Sequence, residues 1–254
     1  MRRSCIFSLL IGLVLVSVPL RSEAVIAEVA SQRVEKTVSA VGTGTTLAFT
    51  NNVQNGSLIV IAGAMWNTNA VQTISFTGNR GETFVVKSAT GPAVTPQTRY
   101  FVAYGVTTSG GAETITATLT QTVGTNYISF SIDEFSGVNT TTPLDVDGTN
   151  ATGTSTTPAR AITTVAANAL VVAVMTHDSA STTLTECGTC TKIGEEEAVA
   201  AIPHAAEFKI AGAAGSVTMD WTAGASIIWY AYAVSFAPAA GTPATPGRRR
   251  AIQS

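Results

Sequence analysis

The sequence predicts an all-β protein: an antiparallel β-sandwich, jelly-roll-like, built from two sequence-similar halves. Three observations carry this. The 254 residues hold only 12% Asp, Glu, Lys and Arg. Thr, Ala, Gly, Ser and Val fill the space instead, which suits pleated, half-buried surfaces. Roughly a dozen short segments show period-two alternation or unbroken apolar runs, separated by turn residues and without a helical period. One plan is also written twice. Leu47–Met65, LAFTNNVQNGSLIVIAGAM, returns as Ala161–Thr176, AITTVAANALVVAVMT. In each copy an alternating segment leads through an Asn-containing turn into a continuous apolar run. Asn55-Gly56-Ser57-Leu58 is matched by Asn168-Ala169-Leu170.

Taken in order, Arg2 and Arg3 precede an apolar run from Cys5 to Leu20, and Ser22 and Ala24 are small. This is the pattern of a secretory signal peptide over residues 1–24. The mature chain is therefore expected to be secreted, extracellular or at the cell surface, with no membrane span of its own. Removing Arg2, Arg3, Arg21 and Glu23 leaves 11 basic and 15 acidic residues, a net charge of −4. That balance excludes nucleic acid, which needs a basic footprint.

The sandwich is expected over residues 25–237. Residues 25–37 read as an edge strand or a lead. Thr46–Thr50 alternates, and Ser57–Met65 is apolar throughout, as when both faces of a strand are covered. Thr73–Thr77 and Glu82–Ser88 flank Gly78-Asn79-Arg80-Gly81, a tight turn whose residues tolerate positive φ. Arg99–Thr107 is an aromatic strand. Glu113–Thr120 alternates, with Ile115, Ala117 and Leu119 inward and Thr114, Thr116, Thr118 and Thr120 outward. Asn126–Phe135 closes a first half at 45–137. Gly137–Pro158 is polar and reads as a linker. The second half, 159–237, repeats the order: Leu170–Thr176, two short strands around Cys187–Cys190, Glu207–Ala211, Ser216–Thr222 and Ser226–Phe236. The offset is 112 residues from Leu58 to Leu170 and 101 from Phe135 to Phe236, so loops are shorter in the second copy. Residues 238–254, rich in Pro, Thr and Gly, read as a disordered tail with a solvated Arg248–Arg250 run.

Cys187-Gly188-Thr189-Cys190 is expected to form a disulfide at a strand turn. Redox chemistry would ask for a helix N-terminus to acidify a thiol. Zinc would ask for His177 and His204, which do not lie at finger spacing. Asp145, Asp147 and Asn150 carry oxygens at spacings seen in calcium loops, without the later bidentate Glu, so calcium is the metal considered. Asp133 and Glu134 are adjacent and point to opposite faces, so they do not form a glycosidase pair. His177-Asp178-Ser179 is contiguous and cannot adopt triad geometry. Glu195–Glu197 reads as an exposed acidic turn. Trp66, at the loop end of the first apolar strand, is the aromatic expected to be exposed for a ligand, alongside Asp145, Asp147 and Asn150.

Gly-Ser-Leu-Ile-Val at 56–60, the Gly78-Asn79 turn, Arg-Tyr-Phe-Val-Ala-Tyr at 99–104 and Glu-Phe-Ser-Gly-Val-Asn at 134–139, followed by Pro143-Leu144-Asp145, resemble a known pattern. It is a duplicated jelly-roll or lectin-like β-sandwich repeat of secreted bacterial surface proteins, and the resemblance spans about residues 45–237. It implies no established activity and supplies no catalytic residue. Two functions are expected from the sequence: a noncatalytic module binding an extracellular glycan or surface protein, in adhesion or a surface layer, or a polysaccharide-acting hydrolase on a jelly-roll fold.

Overall fold

The computed structural model describes residues 24–69, 72–90, 98–179, 182–196 and 203–241. Residues 1–23 of the segment expected to be a signal peptide and residues 242–254 of the expected tail lie outside them. Eighteen strands and no helix occur among the described residues.

The first nine strands are β1 Ala27–Glu28, β2 Val34–Val41, β3 Gly44–Ala48, β4 Leu58–Asn67, β5 Ile74–Gly78, β6 Val85–Thr90, β7 Arg99–Val106, β8 Thr114–Leu119 and β9 Asn126–Ser136. They form an inner sheet in the order β1-β9-β4-β7-β6, with β2 also on β9, and an outer sheet β3-β8-β5. The next nine are β10 Leu144–Asp147, β11 Ala151–Ser155, β12 Ala159–Thr164, β13 Leu170–His177, β14 Leu184–Glu186, β15 Thr191–Glu196, β16 His204–Ile210, β17 Gly215–Ala223 and β18 Ile227–Phe236. Their inner sheet runs β10-β18-β13-β16-β15, with β11 on β18, and their outer sheet β12-β17-β14. Adding nine to each label of the first half produces the second. The chain crosses between inner and outer sheets at most connections, and neighbouring strands are antiparallel, as in a jelly roll.

Register fixes the correspondence residue by residue. Leu58 pairs with Val106 and Phe135, and Leu170 with Ile210 and Phe236. Gly56 (φ 73°) and Asn168 (φ 54°) both occupy the left-handed region at the turn before this strand. Glycine has no Cβ to clash there, and Asn is among the few residues that tolerate it.

The two inner sheets pack against each other, so the molecule has four layers and three cores. Alternation along β4 explains the unbroken apolar run. Leu58, Val60, Ala62 and Ala64 enter the central core, while Ile59, Ile61 and Met65 enter the core of the first half. Along β13, Leu170, Val172 and Val174 face the centre, and Val171, Ala173 and Met175 face the second half's own core. The halves thus share one core, and each also holds a private one.

Packing across the centre has a pseudo-twofold character. Phe135 meets Phe208 edge-on at 4.9 Å, and Phe236 meets Tyr104 edge-on at 5.0 Å. Phe135 corresponds to Phe236 and Tyr104 to Phe208, so a single contact is made twice with the roles exchanged. The Glu195 amide donates to Glu35 Oε1 across the seam at 2.9 Å.

Gly137–Pro158 is more than a linker. It holds β10 and β11, the first strands of the second half, which pair with β18. Their residues are half-buried or exposed on both faces, so no apolar alternation announces them. Glu195 and Glu196 lie half-buried in β15 rather than in an exposed turn. Glu197 lies outside the described residues. Pro238 and Ala239, read as the start of the tail, still pair with Val138 and Gly137.

Candidate functional site

Trp66 does not stand free. It is half-buried against the central core, with its ring 5.0 Å from that of Tyr127. The large hydrophobic side chains exposed among the described residues are Val25, Val85, Val123, Val165 and Ile228, and none is aromatic.

Asp145 sits at a register shift between Leu144 and Val146. Its carboxylate accepts the Val165 and Ala166 amides, both at 3.0 Å, and the Ser235 hydroxyl at 2.9 Å. Asp147 accepts Lys87 Nζ at 2.5 Å and the Tyr232 hydroxyl. Burial alone would raise its pKa; the bonds from Lys87 and Tyr232 outweigh burial and hold it below the ordinary value. Asn150 is exposed in the β10–β11 connection. The two carboxylates therefore answer different protein donors.

Among the other acids, Asp133 and Glu134 are both fully buried. Arg33 bridges Asp133 to Glu28, with its Nε 3.3 Å from the Asp133 carboxylate. Burial, then the charge of Glu28, push Asp133 up to about 7 against the pull of Arg33. Glu134 takes the Gln54 amide at 2.6 Å, the Ser57 hydroxyl at 2.5 Å and Gln32 Nε2 at 2.9 Å. Both are structural groups held by protein donors.

Sequence reasoning missed a second carboxyl pair. Glu82 and Glu113 meet beneath the Gly78–Gly81 turn, where a Cβ on Gly78 would collide with both. Burial, then the Glu82 charge, push Glu113 up to about 7. Their residues are only 3% and 1% exposed, which leaves no room for a sugar between them. A signal was present: Glu113 has the same parity as the inward Ile115, Ala117 and Leu119.

His177 and His204 are buried in β13 and β16. Burial draws His177 down to about 4, and the charge of His204 adds to this against Asp178. Asp178 accepts the Ile228 amide, and Ser179 lends only its backbone N–H to His177 Nδ1, so no nucleophile is aimed at the imidazole.

The Cys187–Cys190 disulfide is formed. It closes a turn in which the Cys190 amide donates to the Cys187 carbonyl at 2.9 Å. The first half makes the same turn from Gly81 to Gly78 at 3.2 Å. Metal-ligating groups gather here, but Glu207 joins the cysteines rather than the histidines, with ligand atoms all within 4.8 Å. Glu207 was missed as well. It stands inside the apolar strand HAAEFKI, at the position of Ala103 in the first half, and an acid inside a strand destined for burial is the readable mark.

One broad surface is built differently. On the outward face of β3-β8-β5, Thr46, Thr116 and Thr77 form one row across the sheet, and Gly44, Thr118 and Ser75 the next. The Thr73 and Thr120 hydroxyls follow at 3.2 Å from each other. Strand geometry sets these rows about 7 Å apart, with neighbours about 5 Å apart along each row. None of the eight carries a charge. The opposite outer sheet offers Thr163–Ser216, Ala161–Thr218 and Thr185–Thr222, but interrupts them with Asp220.

No protein-family model, curated protein or solved structure matches this chain.

Proposed function

We propose that this chain is a noncatalytic binding or structural module of the cell exterior, adhering to a glycan through the outer sheet of its first half. The observation that carries the reading is the uncharged lattice of Thr and Ser hydroxyls on β3-β8-β5. A rigid sheet holds short hydroxyls at fixed spacing with little rotamer entropy left to lose, and repeated hydroxyls complement a repeating, hydroxylated polymer. The jelly-roll order and the resemblance to lectin-like repeats of secreted surface proteins support the same class. The hydrolase alternative asks for two carboxylates facing an open groove. The converging acids here are enclosed, as Glu82 and Glu113 are, or bridged by Arg33, as Glu28 and Asp133 are.

The test is retention of residues 25–254 on insoluble chitin, cellulose and peptidoglycan, with reducing-sugar release followed in parallel. Wild type is expected to be retained on at least one of the three without sugar release. Thr116→Lys, in the middle of the lattice, abolishes retention, and Thr218→Lys on the other outer sheet preserves it. Retention unaffected by Thr116→Lys, or absent on all three polymers, overturns the proposal; sugar release selects the hydrolase.

A further inference from the structure

The corner at Cys187–Cys190 does more than staple a turn. Cys187 is 9% exposed and Cys190 is half-buried, while Gly188 and Thr189 between them are exposed. Cys190 is thus the more accessible of the two, although it also packs against the second half's own core. Behind Cys187 lies Glu207, fully buried, with Oε2 accepting the Cys187 amide at 3.2 Å. Its Oε1 has no partner at full hydrogen-bond geometry, although the Asp220 amide lies near enough to the carboxylate to pull its pKa down. A buried oxygen without a partner carries a free-energy cost of about 1–3 kcal/mol, so its persistence beside the sulfurs asks for a role. The structurally equivalent turn of the first half, Gly78–Gly81, has no sulfur.

We propose that Cys187–Cys190 is a thiol–disulfide exchange site for external thiols, with Glu207 donating the proton to the departing Cys187 sulfur. An external thiolate attacks Cys190 Sγ. A bond forms between the incoming sulfur and Cys190, the Cys187–Cys190 bond breaks, and its electron pair goes to Cys187 Sγ. That sulfur takes the Glu207 proton and becomes a thiol, leaving Glu207 a carboxylate. A second external thiolate, or the other arm of a dithiol, then attacks the incoming sulfur. It releases Cys190 as a thiolate and departs as the oxidised disulfide. Two electrons pass from two thiols to the protein. A thiolate leaving into a buried site is costly unless a proton meets it.

The surroundings keep that proton in place. Burial pushes Glu207 up to about 8, and the charges of Asp220 on β17 and Glu186 on β14 add to it, while the Cys187 and Asp220 amides oppose it. Across β15 its register partner is Lys192, whose ammonium lies 2.6 Å from Glu195 and 4.0 Å from Glu186. Across β13 the partner is Ala173, which bears no charge.

The test is the rate at which dithiothreitol reduces the folded chain between pH 6 and 9.5. Reduction is read by peptide-resolved alkylation, because Cys5 adds a third thiol to the full sequence, and is expressed per dithiothreitol thiolate. Wild type is expected to react without denaturant, with a rate per thiolate that declines through about pH 8, the Glu207 titration. Glu207→Gln, folded as judged by circular dichroism, reacts about a hundredfold more slowly below that point and shows no decline, the lower end of what a positioned acid supplies. A flat wild-type profile overturns the proposal even if the variant does not fold. So does a Glu207→Gln rate equal to wild type, or a disulfide that resists reduction until the chain is unfolded.

Discussion

The two halves fill the same slot in opposite ways. In the first, the inner sheet carries the row Phe101–Gly63–Phe130 into its private core. In the second, the corresponding row is Ala205–Met175–Ala231. Large flanks enclose nothing in one case, and small flanks enclose a large centre in the other. The first row holds more bulk than the second, so each centre is matched to its own flanks and surrounding layer, as cores tolerate repacking only where the local volume is made up. Phe76 completes the first arrangement, its ring 5.4 Å from Phe101 and 5.7 Å from Phe130.

The most damaging way to break this correspondence is to transplant one centre alone. A Cβ at Gly63 would overlap the Ser129 carbonyl oxygen and lie 2.7 Å from Phe130 Cα. Gly63→Met is therefore expected to destabilise the protein by about 4 kcal/mol or more, above the usual range for overpacking because the obstacle is backbone. Adding Phe101→Ala and Phe130→Ala, which completes the second half's row, should recover part of the loss. Urea unfolding of the single and triple variants measures both. A triple variant no more stable than the single would mean that the two rows are not interchangeable.

A second comparison concerns a backbone amide. Gln54 and Ala166 occupy equivalent positions four residues before the central strands. Each amide is answered by a carboxylate, but Glu134 reaches Gln54 from β9, while Asp145 reaches Ala166 from β10. Ser235 stands where Glu134 would be and donates to Asp145. The need belongs to the fold, and the strand that meets it was open to change. Glu134 is fully buried and Asp145 is half-buried. Glu134→Ala should therefore cost about 3 kcal/mol, since the Gln54 amide loses its acceptor while the Ser57 hydroxyl and Gln32 Nε2 keep only Gln54, Thr107 and Asn52, and Asp145→Ala about 1–2 kcal/mol. Equal losses in urea unfolding would show that burial does not set the difference.

Much of this architecture was legible beforehand. The doubled plan around Leu58 and Leu170, the inward parity of Ile115, Ala117 and Leu119 and the disulfide turn follow from period-two alternation and turn chemistry, which are local. What escaped was relational. That β4 and β13 lie back to back is a fact about two sheets, and no single strand records it. The same holds for Glu113 and Glu207. Each is one acid in an apolar phase, and only the fold shows that one meets Glu82 and the other a disulfide. Trp66 failed as an exposed platform because its strand end is roofed by Tyr127 from a neighbouring strand, 61 residues further along the sequence.

The acids beneath the two hairpins sharpen the comparison through pH. Glu113 binds its proton more tightly in the folded chain, where its pKa rises from 4.5 to about 7. Its contribution is fully present below the unfolded value and is lost as pH rises through the folded one. Stability should fall over that window on this account. His177 acts in the opposite sense, because its folded pKa is drawn down from 6.5 to about 4 and acid must force a charge into its buried site. The difference between wild type and Glu113→Gln isolates the first effect: a slope between pH 5 and 7.5 that the variant lacks. Glu207→Gln should remove a slope that starts at the same pH and extends about one unit higher, since that acid reaches about 8.

The smallest expected effect lies at Asp145 and Asp147. Metal binding to the folded state alone raises stability by an amount set by its concentration over its dissociation constant. A cation entering here must first displace the Lys87 ammonium and Tyr232 from Asp147, and two backbone amides and Ser235 from Asp145. Those donors already neutralise or satisfy the oxygens, so there is little left for calcium to improve. Millimolar calcium or a chelator is therefore expected to shift the unfolding midpoint by less than about 1 °C, measured by thermal denaturation. Lys87→Ala sharpens the test by removing the one cation bound to Asp147. If calcium stabilises that variant and leaves wild type unmoved, the lysine occupies the place of a metal, and the first half supplies from β6 the charge that the Asp145–Asn150 loop would otherwise draw from solution.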